Sequence, residues 1–299
     1  MNKFLIDIIL KQLYNSIIGG ILMINFYSEN NNIHIENLDN FDLKTTLDCG
    51  QAFRWSSEDG IKWHGIAHGK YLSMYKPDEN SLVIENISLK EFENIWKKYF
   101  DFERDYSKII NEISSDEILK NAADYGKGIR LLNQDPWETL CSFIISQNNN
   151  IPRIKGIIDR LCTNFGEKIE GGYSFPSYET IAKLSVDDLA VLRSGFRAKY
   201  ILDAAQKINN GEINLESLKK ISTDQARNEL MKIKGVGPKV ADCVLLFSLE
   251  HIDAFPKDVW IKRAMEVLFN GNLPEKALPY AGIVQQYIFY YARETKLNI

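Results

Sequence analysis

The stretch LMKIKGVGPKVADCVLL, Leu230 to Leu246, decides the fold. It reads as a helix, a tight turn at Lys234-Gly235-Val236-Gly237-Pro238, and a second helix that restarts on Lys239. Gly235 and Gly237 permit backbone conformations that other residues resist. They also leave N–H groups uncovered where the second helix begins, and uncovered amides at a helix N-terminus form an anion site. Lys232 and Lys234 flank the turn. A glycine hairpin of this kind suits sequence-independent grip on a phosphate backbone. A plain helix–helix connection accounts for the glycines as well, so the turn alone specifies no function.

Lys239 adds chemistry. The positive end of a helix dipole disfavours an ammonium, and that field together with partial burial favours the neutral amine. A lysine so placed is a usable nucleophile, able to form a Schiff base. A solvated, phosphate-binding lysine is the alternative. Cys243, four residues on, shares the helical face of Lys239. Further along, AFPKDVWIKRA (Ala254 to Ala264) breaks at Pro256 and places Asp258 as the N-cap of the next helix. Beyond capping, such a carboxylate can stabilise positive charge on a sugar or relay protons.

The chain around these segments has 299 residues, 45% hydrophobic and 25% charged, which is globular composition with room for about two domains. The net charge of −4 rules out a general polycation, although phosphate binding needs only a local basic or amide-rich surface. Cys49, Cys141, Cys162 and Cys243 stand apart, without the pairing that zinc or iron–sulfur sites require. They read as reduced thiols of a cytosolic protein. FLIDIILKQLYNSIIGGILMI (Phe4 to Ile24) is apolar, but Asp7, Lys11, Gln12 and Asn15 interrupt it. It falls short of a membrane span and lacks a signal-cleavage motif. The expectation is an amphipathic extension over residues 1–23, with Met23 as an alternative start.

From Ile24 to Asn86 short apolar–polar alternations are punctuated at Glu58-Asp59-Gly60, His68-Gly69 and Pro77-Asp78, the pattern of antiparallel hairpins. SLKEFENIWKKYF, opening on Ser88, switches to helical spacing. After residue 115 the chain reads as helices joined by short loops. DPWETLCSFIISQ carries Asp135 as cap and Pro136 at the first position; NIPRIKGIIDRLCTNFG ends at Gly166. SVDDLAVLRSGF is expected to stop at Gly195, STDQARNELMKI repeats the same grammar, and YAGIVQQYIFYYAR is a last helix. The expected fold is α+β: a small antiparallel β-sheet domain with a helix over residues 24–115, then an all-helical domain over residues 116–299.

Helix, G-V-G hairpin, a lysine opening the next helix and Pro-x-Asp-Val together resemble the helix-hairpin-helix DNA glycosylases. GQAFRW (Gly50 to Trp55), SQNNNIPRI (Ser146 to Ile154), GFRAKY (Gly195 to Tyr200) and YAGIVQQYIF (Tyr280 to Phe289) are similar to the 8-oxoguanine branch of that family. The matches run in order across most of residues 40–292. Two departures stand out: Trp260 lies where many relatives carry histidine, and Phe196 where many carry tyrosine.

The resemblance implies a bifunctional DNA glycosylase and abasic-site lyase for 8-oxoguanine opposite cytosine. It implies attack of Lys239 on C1′, with Asp258 assisting electrostatically. A base flipped from the duplex would lie between Cys243 and Phe289, with Gln285 on its Watson–Crick edge and the Gly50 carbonyl accepting its N7–H. Asn148 would fill the vacated space, Arg153 and Arg197 would donate to the opposite cytosine, and Phe196 would wedge the stack. Gly235, Gly237 and Trp260 would contact the DNA backbone. Read without the resemblance, Phe289, Phe196 and Cys243 are core residues, Gln285 is an exposed helix position, and Asn148 to Asn150 form a loop or cap. The implied partner is damaged double-stranded DNA, bound by a cytoplasmic monomer (nucleoid-associated in a bacterium) without membrane, metal or cofactor. A glycosylase for another damaged base and a hairpin protein that only grips DNA are the rival readings. Gly50, Gln285 and Phe289 weigh against the first, and Lys239 with Asp258 against the second.

Overall fold

The computed structural model describes residues 24–295. The amphipathic extension expected over residues 1–23, with Met23 as an alternative start, lies outside the described residues. Among the described residues no helix is long and apolar enough to cross a membrane.

Six strands, β1 (Asn25–Glu29), β2 (Asn32–Glu36), β3 (Trp55–Ser56), β4 (Lys62–Ala67), β5 (Lys70–Tyr75) and β6 (Leu82–Glu85), form one antiparallel sheet in the order β1-β2-β6-β5-β4-β3. The turns fall at the expected punctuation. His68 and Gly69, at φ 50° and 69°, close β4 onto β5, where Ala67 pairs with Lys70. Two left-handed residues in a two-residue loop match the twist of the strands they join. Ile33, Ile35, Leu72, Met74, Leu82 and Ile84 share one buried cluster with Phe92, Trp96, Tyr99 and Phe100. Phe92, Trp96 and Tyr99 lie on a helix over residues 89–99 and Phe100 caps its end; Ser88 Oγ caps its start, accepting from Glu91 N at 3.1 Å. Its middle turn, Phe92–Trp96, is π rather than α, a one-residue insertion that no apolar period announces.

A second cluster unites the helices of the remaining chain, from Tyr106–Ile113 through Ala281–Glu294. Their ends obey the grammar of the sequence. Asp135 Oδ1 accepts from Glu138 N at 2.8 Å, Ile151–Phe165 stops at Gly166, and Ser222 with Gln225 forms a capping box. There are two local departures. Residues 188–192 make only a 3-10 turn, which ends on left-handed Arg193 (φ 52°) before Gly195 is reached. Asp188 Oδ2 folds back on Ser185 N (2.8 Å) and Oγ (2.7 Å), a local bond that competes with a longer helix. Lys168–Ile169 also pairs with Gly172–Tyr173 as a small hairpin within the helical half. Gly171 and Gly172, at φ 72° and 152°, permit that reversal.

The two cores interlock along GQAFRW. Phe53 belongs to the helical cluster and Trp55 to the sheet cluster, while Leu132, from the helical side, returns to the sheet cluster. Between them Gln51 is 1% exposed. Its Nε2 donates to Thr46 O and Arg130 O, both at 2.8 Å, and its Oε1 accepts from Leu132 N at 3.0 Å. Arg130 is as deeply buried; its guanidinium donates to the carbonyls of Asp39, Asn40, Asp101 and Arg104 and lies 4.5 Å from the Tyr106 ring centre. Fully satisfied buried polar groups are stable in one arrangement and costly in others. Gln51→Leu removes three buried hydrogen bonds and is expected to cost about 3 kcal/mol. A urea titration checks this, with a lower midpoint at unchanged slope as the expected outcome.

Candidate active site

The hairpin fixes where Lys239 points. The helix Pro238–Ser248 starts on Gly237, and no side chain caps it. Gly235 sits at φ 77°, and a Cβ there would lie 2.2 Å from Tyr200 Cδ2. Glycine is therefore required at that position by the fold itself. Gly237 differs: its φ is −100°, and a Cβ there would meet nothing within 4 Å. Asp203 Oδ2 accepts from Lys234 N at 2.8 Å, Val236 plugs the core beneath, and buried Asp242 accepts from Arg227 Nε at 2.5 Å.

Lys239 Nζ lies 5.0 Å from the centre of the Phe143 ring, a cation–π contact. Phe143 meets Phe53 edge-on, with centroids 5.8 Å apart, and stacks on Phe247 at 5.5 Å. The ring beneath the amine is thus braced by both halves of the protein. Asp258 is the N-cap the sequence predicts, its Oδ1 accepting from Ile261 N at 2.8 Å. That bond fixes the carboxylate, and among the described residues Oδ2 accepts nothing.

Lys239, Cys243, Asp258, Gln285, Phe289 and Gly50 all line one cleft. Five come from the helical half; Gly50 reaches in from the sheet half with a left-handed backbone, φ 95°. Among the described residues its carbonyl accepts no hydrogen bond. Burial pushes the Cys243 thiol up to about 11, against the opposing pull of the neighbouring Lys239 ammonium. The sulfur therefore faces the cleft as a neutral, polarizable thiol. Gln285 is buried, not exposed, at 4%.

A second group lies outside the cleft. Of the asparagine run, Asn150 caps Ile151–Phe165 and Asn149 Nδ2 donates to Ile145 O at 3.1 Å. Asn148, exposed and on a left-handed backbone at φ 46°, is the one of the three whose side chain makes no hydrogen bond among the described residues. Phe196 is 47% exposed. Arg197 is not exposed: its Nε donates to Gln147 O at 3.1 Å, Nη1 to Ser194 O at 3.1 Å, and Nη2 to Asn148 O at 3.0 Å and to Gln147 O. Its guanidinium also lies 4.5 Å from the Phe196 ring centre. Burial first, then the like charge of exposed Arg153, lowers its pKa. The structure thus uses Arg197 to hold the Asn148 turn beside Phe196, which leaves Arg153 as the exposed guanidinium of the pair. Trp260 is 38% exposed on the first turn of Val259–Phe269.

Sequence reasoning passed over several neighbours. One is Phe143, whose ring lies under the amine. Another is Arg293, whose Nη1 donates to Cys49 O at 3.4 Å and whose guanidinium lies 5.8 Å from the Phe289 ring centre. Gln286 lines the cleft beside Gln285. The available signal was two consecutive amides inside an otherwise apolar, aromatic helix.

Residues 33–140 match the family described as 8-oxoguanine DNA glycosylase, N-terminal domain. Residues 141–277 match the HhH-GPD superfamily of base excision DNA repair proteins. The chain is 34% identical over 251 residues to N-glycosylase/DNA lyase of Saccharomyces cerevisiae, a match covering 74% of this chain and 66% of that protein. It is 32% identical over 251 residues to the Arabidopsis thaliana N-glycosylase/DNA lyase, covering 79% and 67% respectively. The chain thus spans about two thirds of the length of both relatives. Among solved structures, it is similar to Clostridium acetobutylicum 8-oxoguanine glycosylase/lyase bound to duplex DNA with cytosine opposite 8-oxoguanine. The TM-score is 0.86 at 40% identity, over 92% of this chain and all of that one.

The two hairpin glycines should separate on substitution. Gly235→Ala combines left-handed strain with the Tyr200 overlap and is expected to cost about 2 kcal/mol or more. Gly237→Ala is expected to cost less than about 1 kcal/mol yet to weaken duplex DNA retention in a mobility-shift titration.

Proposed function

This chain belongs to the 8-oxoguanine DNA glycosylase/lyase family, and on that premise we propose that it excises 8-oxoguanine from duplex DNA, preferably opposite cytosine, and then cleaves the abasic strand. The observation that carries the reading is the convergence on one cleft of Lys239, Asp258, Cys243, Gln285 and Phe289 with the Gly50 carbonyl. A nucleophile, a carboxylate, two faces for a planar ring, an amide for its edge and an unpaired acceptor together match one flipped purine.

Lys239 Nζ, once its ammonium proton has passed to solvent, attacks C1′ through its lone pair as the glycosidic bond to N9 breaks, and the bonding electrons leave with the base, which takes up a proton. Asp258 stabilises the positive charge that develops on the sugar during this step. The lysine–C1′ adduct opens to a Schiff base. Loss of a C2′ proton then expels the 3′ phosphate by β-elimination, and water releases the lysine. No metal or organic cofactor enters these steps. The base lies between the Cys243 thiol and the Phe289 ring, while Asn148 and Phe196 occupy and wedge the opened stack. Arg153 donates to the opposite cytosine, and Arg197 supports it from beneath the turn. Gly235 and Gly237 present backbone amides to a phosphate, and Trp260 packs against the same strand.

Discrimination rests on the Gly50 carbonyl. The N7–H of 8-oxoguanine satisfies it, whereas guanine brings a lone pair at N7 and strands a buried acceptor, a penalty of about 1–3 kcal/mol.

Borohydride reduction of the Schiff base on an 8-oxoguanine:cytosine duplex is expected to trap a covalent protein–DNA adduct. Lys239→Gln should abolish it, and an undiminished adduct in that variant would refute the mechanism. Asp258→Asn keeps a capping side chain, so its thermal midpoint should hold while excision slows about 100-fold. Single-turnover assays with each of the four opposing bases measure the preference for cytosine.

A further inference from the structure

Gln285 and Gln286 follow one another on the helix Ala281–Glu294, and each is 4% exposed. Their amides form one chain of bonds. Gln285 Nε2 donates to Pro256 O at 3.2 Å, and Gln285 Oε1 accepts from Gln286 Nε2 at 2.7 Å. Gln286 Oε1 faces the Cys49 thiol at 3.5 Å, and that thiol also lies 3.4 Å from Thr46 O. An amide's oxygen and nitrogen are nearly the same size, so its partners decide which way it faces. Here they decide it from the Pro256 end. A carbonyl only accepts, so the Gln285 nitrogen must face Pro256 and its oxygen must face Gln286. At 2.7 Å that contact requires a donor, so Gln286 must present Nε2. Its oxygen is then left toward Cys49, whose thiol burial holds protonated at neutral pH. Reversing Gln285 would set its oxygen against Pro256 O and its nitrogen against Gln286 Nε2, two mismatched contacts in a buried site.

We infer that Gln286 is a positioning residue for base recognition: Pro256 O sets the polarity of the Gln285 amide, and the bond from Gln286 Nε2 holds it there, in the one polarity that matches a guanine-type edge. This rests on the proposed reading that Gln285 faces the flipped base. With one N–H given to Pro256 and one lone pair given to Gln286, Gln285 has one donor and one acceptor left. A guanine-type Watson–Crick edge offers an acceptor at O6 beside a donor at N1–H. An adenine-type edge offers the reverse, a donor at N6 beside an acceptor at N1. A held amide therefore selects between purine classes by orientation, a distinction that the ring faces at Cys243 and Phe289 do not make.

Gln286→Met keeps side-chain length and removes the donor. Single-turnover excision by wild type and variant is measured on duplexes carrying 8-oxoguanine or 8-oxoadenine, alongside strand cleavage of a duplex with a preformed abasic site. The expected result is a fall of about tenfold in the ratio of 8-oxoguanine to 8-oxoadenine excision, with abasic-strand cleavage retained because no base enters the cleft. An unchanged ratio overturns the inference. A parallel fall in abasic-strand cleavage overturns it too, because the role would then be structural. Wild-type protein that leaves 8-oxoguanine in place but cleaves the abasic duplex refutes the underlying reading, and the inference with it.

Discussion

The buried amide of Gln51 is the constraint on which the rest of the molecule depends. The candidate cleft is not the property of either half. Gly50 comes from the segment after the first helix of the sheet domain, while Lys239, Asp258 and Gln285 come from the far end of the helical half. Such a site works only if the two halves hold one relation to within a fraction of an ångström. Apolar contact alone tolerates sliding; a side chain whose three hydrogen bonds span Thr46, Arg130 and Leu132 does not. Phe53, two residues beyond, then reaches into the helical core and braces Phe143 beneath the Lys239 amine. One short segment therefore sets both the Gly50 carbonyl and the floor under the Lys239 amine.

Structural and functional readings of the same residue prove compatible in several places. Asp258 is a helix cap, and that very bond fixes a carboxylate at the rim of the cleft. The asparagine run divides its labour: Asn149 and Asn150 terminate and initiate helices, which frees Asn148. In the hairpin, Gly235 is demanded by φ and by Tyr200, whereas Gly237 is demanded by neither. A position where the protein itself gives no reason for glycine is where a reason from outside, close approach of a phosphate, carries most weight.

Much of this was legible in the sequence because it is local. Caps, two-residue turns and the break at Gly235 to Pro238 are written within a few residues of where they act. Features that depend on distant partners were not. The π turn at Phe92–Trp96 changes no apolar period, and the pairing of Lys168–Ile169 with Gly172–Tyr173 is too short to alternate. Arg197 shows the limit most clearly. Its sequence position suggested a guanidinium offered to DNA, but the carbonyls of Gln147, Asn148 and Ser194 converge on it only in the folded chain. Gln285 was misjudged as exposed on its bland reading for the same reason: Pro256 O and Gln286, which make its burial affordable, adjoin it only once the helices pack.

On the proposed function, the polar atoms of the cleft share a design that bears on how a rare lesion is told from abundant guanine. Adding attraction for the lesion would bind guanine nearly as well, since the two share all but the atoms at N7 and C8. A fixed, unpaired acceptor acts differently, because it penalises the common base and needs no strong affinity for the rare one. That strategy requires rigidity, since a carbonyl or amide free to turn would find another partner and erase the penalty. The left-handed backbone at Gly50, the neighbouring Cys49 carbonyl tied to Arg293, and the Gln285 amide held between Pro256 and Gln286 supply that rigidity with backbone geometry and buried hydrogen bonds. On the proposed reading, the buried polar groups around the cleft are the means by which exclusion is enforced.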